Sequence, residues 1–564
     1  MEGSQQPARW GVLAGLAAAS VVILLALMLP FLDLTPTGAT PPQPTGPPRT
    51  ATEPAALRDG VTTLPGGPGD ALALVDHAHT AVIAPDHPAT AATAGMVALY
   101  LRAPMLLVPT PEAGDAARAG SEAATARTDI AAAARERGLR RAVVVGEGVD
   151  DVVTGSGARD VVRVPAGDAA APDAAAVLTA AGAPEPPGPA TVDGVDLDPV
   201  RATRLAPPTA TGVAVLVPPD AGDVLGSAVT ARAVGHTVLT TAVDDLRADP
   251  SIGARLAQLG TPDDPPQLVL AGSALAGAAA GAVRRQAAVA MTEVQLPGGG
   301  QLVFPPGRRS RRTYVGLYGV PHSPVLGALG EQPVGDSVAR AKRLARSYRR
   351  AVGGEIDIVP CFEIIATVAS AGPGKDRNFS HEQPVGRLRE AVHAAGEAGV
   401  YVLLDLQPGR TDFVTQARRY ESLLREPHVG LALDPEWRLQ RRQRHLEQIG
   451  SVPIDEVNAV VHWLADLVDR DHLPQKMLLL HQFRRSMLPD RERLDTSRDA
   501  LAYVIQMDGQ GPQSSKLETW RSVTADPPDN VRFGWKNFYD EDQPVRSPGG
   551  TMALDPTPAF VSYQ

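Results

Sequence analysis

Asp434-Pro435-Glu436-Trp437 follows directly on the apolar run Val429–Leu433. Along an extended strand, residues two apart point the same way, so the carboxyls of Asp434 and Glu436 can face one side. Carboxylates held close raise one another's proton affinity, and one of them can stay protonated near neutral pH. A third acid, Asp508, ends another apolar run, Leu501–Met507. A protonated carboxyl beside an ionised one is what cleavage of a glycosidic bond requires. Polar and aromatic residues end the other apolar runs of this half: Glu363, Asp405, Gln407, His481, Gln482, Trp535, Lys536 and Tyr539. Rings stack on sugar faces and acids move protons. Glu436, Asp434 and Asp508 are therefore expected to be catalytic. Glu363, Asp405, Gln407, Trp437, His481, Gln482, Trp535, Lys536 and Tyr539 are expected to bind substrate. No metal or cofactor is expected. The phosphate-binding loop, dinucleotide fingerprint, His-Glu-x-x-His helix and Gly-x-Ser-x-Gly elbow are all missing from the sequence.

The elements that must position these groups are eight apolar runs. They are Tyr314–Val320, Ile356–Ile364, Val400–Leu406, Val429–Leu433, Met477–Leu480, Leu501–Met507, Val531–Trp535 and Ala559–Ser562. Between them lie stretches with helical period, such as Phe413, Val414, Ala417, Tyr420, Leu423 and Leu424, with Asp412 placed to cap that helix. Eight strand–helix steps in about 250 residues predict a (β/α)8 barrel over 313–564, whose functional groups sit at the C-terminal strand ends. The last helix is expected to be absent or replaced by the loop Tyr539–Pro558.

Asp434-Pro435-Glu436 resembles the Asp-x-Glu on the fourth strand of family-18 chitinases and related lysozyme-type barrels. Gln506-Met507-Asp508 is similar to the pattern on their sixth strand. The resemblance implies that Glu436 is the general acid and that Asp434 orients an acetamido group or stabilises charge. The aspartates that precede the glutamate in chitinases are replaced here by the apolar Val429–Leu433.

Upstream, residues 68–290 alternate short β-rich runs with Ala-rich stretches, which predicts βα units on parallel sheets. They form an internal repeat. Ala81–Asp86, Pro104–Pro109 and Ala142–Gly146 match Val213–Asp220, His236–Thr240 and Leu268–Gly272 at an offset of about 126–134 positions. Pro85-Asp86, Ala103–Pro109, Val143–Gly146 and the segment Val161–Asp168 resemble the cell wall-binding repeat 2 family. That resemblance implies attachment to anionic wall polymers. The Arg-Tyr that follows Gly-Asp in that family is absent, and two copies are evident rather than three.

Residues 291–312, with Pro297–Gly300 as a turn, are expected to be a β-hairpin connector. Residues 35–67, rich in Pro, Thr and Gly, are expected to be a linker. Gly11–Leu32 runs for 22 residues without a charge, long enough at about 1.5 Å per residue to cross a hydrocarbon core of roughly 30 Å. A transmembrane signal anchor over 1–34 is expected, with the N-terminus cytoplasmic and the rest outside the cell membrane.

The 564-residue chain carries 53 Lys and Arg against 63 Asp and Glu, a net charge of −10, and shows no long basic run. A nucleic-acid partner is not expected. The single cysteine, Cys361, has no partner for an intramolecular disulfide and is expected inside the barrel. The combined expectation is a membrane-anchored glycoside hydrolase-like protein that binds, and in its catalytic reading cleaves, a cell-wall polysaccharide or other envelope polymer. The alternative is a non-catalytic surface binding or scaffold protein.

Overall fold

The structure, a computed structural model, describes residues 52–54, 57 and 60–564, apart from 111–117, 167–173, 183–190, 193, 201–211, 220–221, 243 and 308–310. Its N-terminal part is built from eight short parallel strands. They are β1 (Val61–Leu64), β2 (Thr80–Pro85), β3 (Met105–Val108), β4 (Arg141–Val145), β5 (Asp160–Val164), β6 (Val213–Val217), β7 (Thr237–Thr240) and β8 (Gln267–Ala271). They form two sheets of the same design, ordered β3-β2-β4-β5 and β7-β6-β8-β1. The central strands are buried on both faces, which is why Ala-Val-Ile-Ala and Val-Ala-Val-Leu-Val read as continuous apolar runs.

The two sheets differ in where the fourth strand comes from. β5 follows β4 directly, whereas β1 reaches the second sheet from the other end of the unit and pairs in parallel with β8, Val61 opposite Leu268. Facing helices join the two repeats in one core, and Met105 N–H donates to Thr230 Oγ1 at 3.0 Å. β1 and the strand Thr52–Pro54 fall within the stretch expected to be linker, which corrects the expected limit at residue 67.

The C-terminal part is a closed barrel of eight parallel strands. They are β9 (Arg312–Gly319), β10 (Asp357–Ala369), β11 (Tyr401–Leu406), β12 (Val429–Leu433), β13 (Lys476–His481), β14 (Leu501–Met507), β15 (Val531–Asn537) and β16 (Phe560–Tyr563). β16 pairs with β9, and β9 with β10, which closes the ring. Helices Val334–Val352, Val385–Glu397, Phe413–Arg419, Ile454–Arg470 and Gln513–Thr524 cover the outside, and Asp412 caps the third by accepting from Thr415 N at 2.8 Å. After β13 the chain makes only short 3-10 turns, and after β15 the loop holds one five-residue helix, Pro548–Met552.

Alternation along the strands fills the barrel in layers. The lower interior is apolar: Tyr314, Cys361, Tyr401, Leu403, Ala432, Met477, Leu479, Ala502, Val504 and Phe560. Residues 292–307 close its N-terminal end. Leu296 and Val303 insert into that layer, burial that stabilises by about 1.5–3 kcal/mol for each side chain. The Arg312 guanidinium donates to Gly298 O, Gly299 O and Leu302 O, gathering the turn against β9. Gly298, Gly299 and Gly300 all have φ between +72° and +90°. Three consecutive residues in that region do not continue into a ladder, and 292–307 contains no strand. The expected hairpin is therefore a plug with a tight turn.

The α/β part meets the barrel beside this plug. Arg247, 4% exposed, pairs with Asp245 and Asp499. Gln286 Nε2 donates to Asp499 Oδ2 at 2.8 Å.

The transmembrane helix is a correction. Gly11–Leu32 lies outside the described residues, and among the described residues no helix is long and apolar enough to cross a membrane. The two 19-residue helices, Arg118–Glu136 and Val334–Val352, are interrupted by charged residues throughout. The fold is thus a mixed α/β chain with a closed eight-strand barrel, and the single-pass membrane placement, with the cytoplasmic N-terminus it implied, is withdrawn.

Candidate active site

The layer above the apolar barrel interior is polar on every strand. Continuing the same alternation, it receives Tyr318 from β9, Glu363 from β10, Asp405 from β11 and Asp434 from the end of β12. His481 comes from β13, Gln506 from β14 with Asp508 just beyond its end, Lys536 from β15 and Ser562 from β16. Gln506 Nε2 donates to Ser562 Oγ at 2.7 Å. Glu363, Asp405 and His481 are 0% exposed.

A cleft of about 770 Å³ opens above this layer. Its floor is Asp434, Asp508, Lys536, Gln407 and Tyr318, and Glu436, Trp437, Phe483 and Phe538 stand along its walls. Pro435 does not continue β12; Pro435–Trp437 forms a 3-10 turn, capped by Asp434, which accepts from Glu436 N at 3.2 Å. The turn lifts Glu436 from the buried layer onto the cleft wall. On the aliphatic rim, Val325 and Leu446 are 86% and 89% exposed.

The electrostatics follow from crowding. Six carboxyls (Glu363, Asp405, Asp434, Glu436, Asp508 and, at the outer lining, Glu541) share the site with three cationic side chains, His481, Lys536 and Arg484. Full ionisation would leave three uncompensated negative charges in a place with little water, so protons must be retained. Burial pushes the Glu436 carboxyl up to about 7, with the Asp508 charge adding to it and Lys536, His481 and Arg484 opposing. Burial also lifts Asp434 well above the ordinary carboxylate range; His481 opposes this, while Asp405, Glu436 and Asp508 reinforce it. Asp405 is pushed up to about 6 by burial and Glu363, against His481 and Lys536. For His481, burial alone would lower the pKa, yet the surrounding Asp405, Glu363 and Asp508 hold it well above its ordinary value.

The side-chain geometry is specific. His481 Nδ1 lies 3.0 Å from Asp508 Oδ2, and Nε2 lies 2.9 Å from Glu363 Oε1 and 3.6 Å from Asp405 Oδ1. The Tyr318 hydroxyl donates to Asp405 Oδ2 at 3.0 Å and accepts from Gln407 Nε2 at 3.1 Å. Lys536 Nζ sits 3.3 Å from the centroid of the Tyr318 ring, a cation–π contact that fixes both groups. Asp434, His481 and Asp508 bring atoms of metal-ligating type within 4.8 Å of one another. His481 Nδ1 is already engaged by Asp508, so a cation there would first have to displace a proton.

No family model matches the chain, and no curated protein matches it. The resemblances to chitinase-type barrels and to wall-binding repeats rest on the residues quoted for them.

Of the residues expected to be catalytic, Asp434, Glu436 and Asp508 all line the cleft. Of those expected to bind substrate, Gln407, Trp437 and Lys536 line it as well. Glu363, Asp405 and His481 lie one layer below it. Trp535 and Gln482 correct the expectation: each neighbours an inward residue in sequence and so points outward. Trp535 is 0% exposed and packs edge-on against Trp520 of a surrounding helix. Gln482 accepts from Arg491 Nη1 at 2.7 Å. Tyr539 does not line the cleft and stacks at 5.3 Å on Tyr563, beneath Arg340. Lys516 was not foreseen: fully buried, it donates to Asp542 Oδ2 at 2.5 Å and Lys536 O at 2.7 Å, anchoring the loop that carries Phe538 and Glu541.

Proposed function

We propose that the barrel is a glycoside hydrolase acting on a polysaccharide of the cell wall, with the two-sheet α/β part contributing affinity for the polymer. The observation that carries this is Glu436. It is a carboxyl raised to about 7 on the wall of a 770 Å³ cleft, with the Asp508 carboxylate nearby and Trp437 and Phe483 placed to stack on sugar rings.

In this reading the protonated Glu436 donates its proton to the glycosidic oxygen as the bond from the anomeric carbon to that oxygen breaks. Positive charge develops on the sugar ring, and the Asp508 carboxylate stabilises it. Water then adds to the anomeric carbon, and its surplus proton restores the Glu436 acid. The neutral Asp434 beneath is a hydrogen-bond donor for a substrate carbonyl or hydroxyl. Lys536 and the Tyr318 ring hold the floor rigid, so the acids keep their spacing.

The test is release of reducing sugar from purified cell walls by the wild type and by Glu436→Gln. Loss of release in the variant, with polymer binding retained, is the expected result. Equal release by both overturns the assignment of Glu436. If neither releases sugar while both sediment with wall polymer, the protein is a binding scaffold and the hydrolytic reading fails.

A further inference from the structure

His481 is wholly enclosed, and its ring nitrogens face only acids. Nδ1 points to Asp508, and Nε2 to Glu363 with Asp405 behind it. Nδ1 meets Asp508 Oδ2 in hydrogen-bonding geometry, so a neutral ring protonated only at Nε2 would aim its Nδ1 lone pair at a carboxyl oxygen; Nε2 approaches Glu363 Oε1 at 2.9 Å as a charge contact without hydrogen-bond geometry. Protons on both nitrogens make the Nδ1 contact a charge-assisted hydrogen bond and leave a positive ring edge against Glu363 and Asp405. Only one of the three acids, Asp508, reaches the cleft.

We propose that His481 is a positioning residue. It is a buried imidazolium held between Glu363 and Asp508 that fixes the Asp508 carboxyl in one orientation at the cleft, beside Glu436, the proton carrier. The proposal rests on the hydrolytic reading of the same site.

The groups facing the ring come from each neighbouring strand. Glu363 on β10 and Asp405 on β11 lie at its Nε2 side. Asp434, at the end of β12, and Glu436, on the turn after it, both feel its charge. Asp508 follows β14. Tyr318 on β9 presents its ring edge-on at 6.3 Å, and Lys536 on β15 is the second cation of the floor. Neither Glu363 oxygen has a hydrogen-bonding partner, and its ion-pair contact is Oε1 to His481 Nε2 at 2.9 Å. Glu363 thus contacts the ring on the side away from the cleft, apart from the cleft acids. Asp405 is held on the far side by Tyr318, so the ring leans between Glu363 and Asp508.

The decisive experiment is nitrogen NMR of the full chain labelled with 15N-histidine, with the His481 signals assigned by their loss in His481→Gln. Should that variant fail to fold, Asp508→Asn, which perturbs the Nδ1 side, makes the assignment. Both ring nitrogens of His481 are expected to stay protonated from pH 5 to pH 8. A neutral tautomer at pH 7 overturns the proposal, as does displacement of the His481 proton by added Zn2+ or Mn2+, which would make the cluster a metal site. In the activity arm, H481Q is expected to lower kcat with little change in KM and to move the acid limb of the pH profile upward by about one to three pH units. A purely structural role would lower the melting temperature and leave the limb in place. A wild type that releases no sugar at any pH fails the hydrolytic reading, while the NMR result still decides the charge on His481.

Discussion

Replacing Glu436 with glutamine is expected to make the protein less active and more stable, and the stability gain should depend on pH. A carboxyl whose pKa is higher in the folded than in the unfolded chain costs nothing at low pH, where both states are protonated. Its cost grows as pH rises between the two values and is complete above the folded one. For Glu436 these values are 4.5 and about 7. At about 1.36 kcal/mol for each pH unit, the full cost is about 3 kcal/mol at pH 8.5, and about 1.4 kcal/mol is already present at pH 5.5. Glutamine has the same shape and no charge, so E436Q should recover about 2 kcal/mol more at pH 8.5 than at pH 5.5, somewhat less where cleft water screens the group. For a barrel of about 250 residues that is about 4–8 °C of extra gain in the melting temperature. Calorimetry of wild type and variant at the two pH values measures it directly. A gain of equal size at both, or a loss at both, would refute the view that Glu436 is held protonated at the expense of stability.

The same carboxyl fixes the pH dependence of catalysis: kcat/KM should fall above about pH 7 as Glu436 loses its proton, measured as a pH profile of sugar release. Lys516→Met leaves the Asp542 charge buried and unpaired; it should cost about 3–5 kcal/mol in denaturant melts and raise KM by loosening the loop that carries Phe538 and Glu541. Gly316→Ala places a methyl 2.6 Å from the Cys361 carbonyl inside the barrel, a backbone contact that cannot yield, and should destabilise by about 1–3 kcal/mol in the same assay.

The barrel was legible because each strand is an apolar run flanked by helices of clear period, as Val429–Leu433 and Ile454–Arg470 illustrate. The cleft acids were legible for the same reason: they end such runs. What the strand ends did not reveal was depth. Glu363, Asp405 and His481 look no different in sequence from Asp508, yet they are fully enclosed while Asp508 reaches the cleft, because that depends on how far each strand extends and on the stagger of its neighbours. Strand parity did carry a usable signal for Trp535 and Gln482, since each adjoins a residue that points inward. Lys516 lies mid-helix amid polar residues, and only the fold of the following loop encloses it. The plug after residue 291 was hidden because a glycine-rich turn between apolar residues serves a hairpin and a barrel cap equally well.

The placement of β1 bears on how the protein comes to be made. Val61 must find Leu268, a separation of 207 residues (268 − 61), and closing so long a loop costs about 5 kcal/mol in chain entropy. At about 5–20 residues per second of synthesis, β1 leaves the ribosome roughly 10–40 s before its partner strand exists. It survives that wait as a four-residue segment, Val-Thr-Thr-Leu, with only Leu64 fully buried at the end, too short and too polar to recruit a wrong neighbour. This early-made strand is thus among the last to dock.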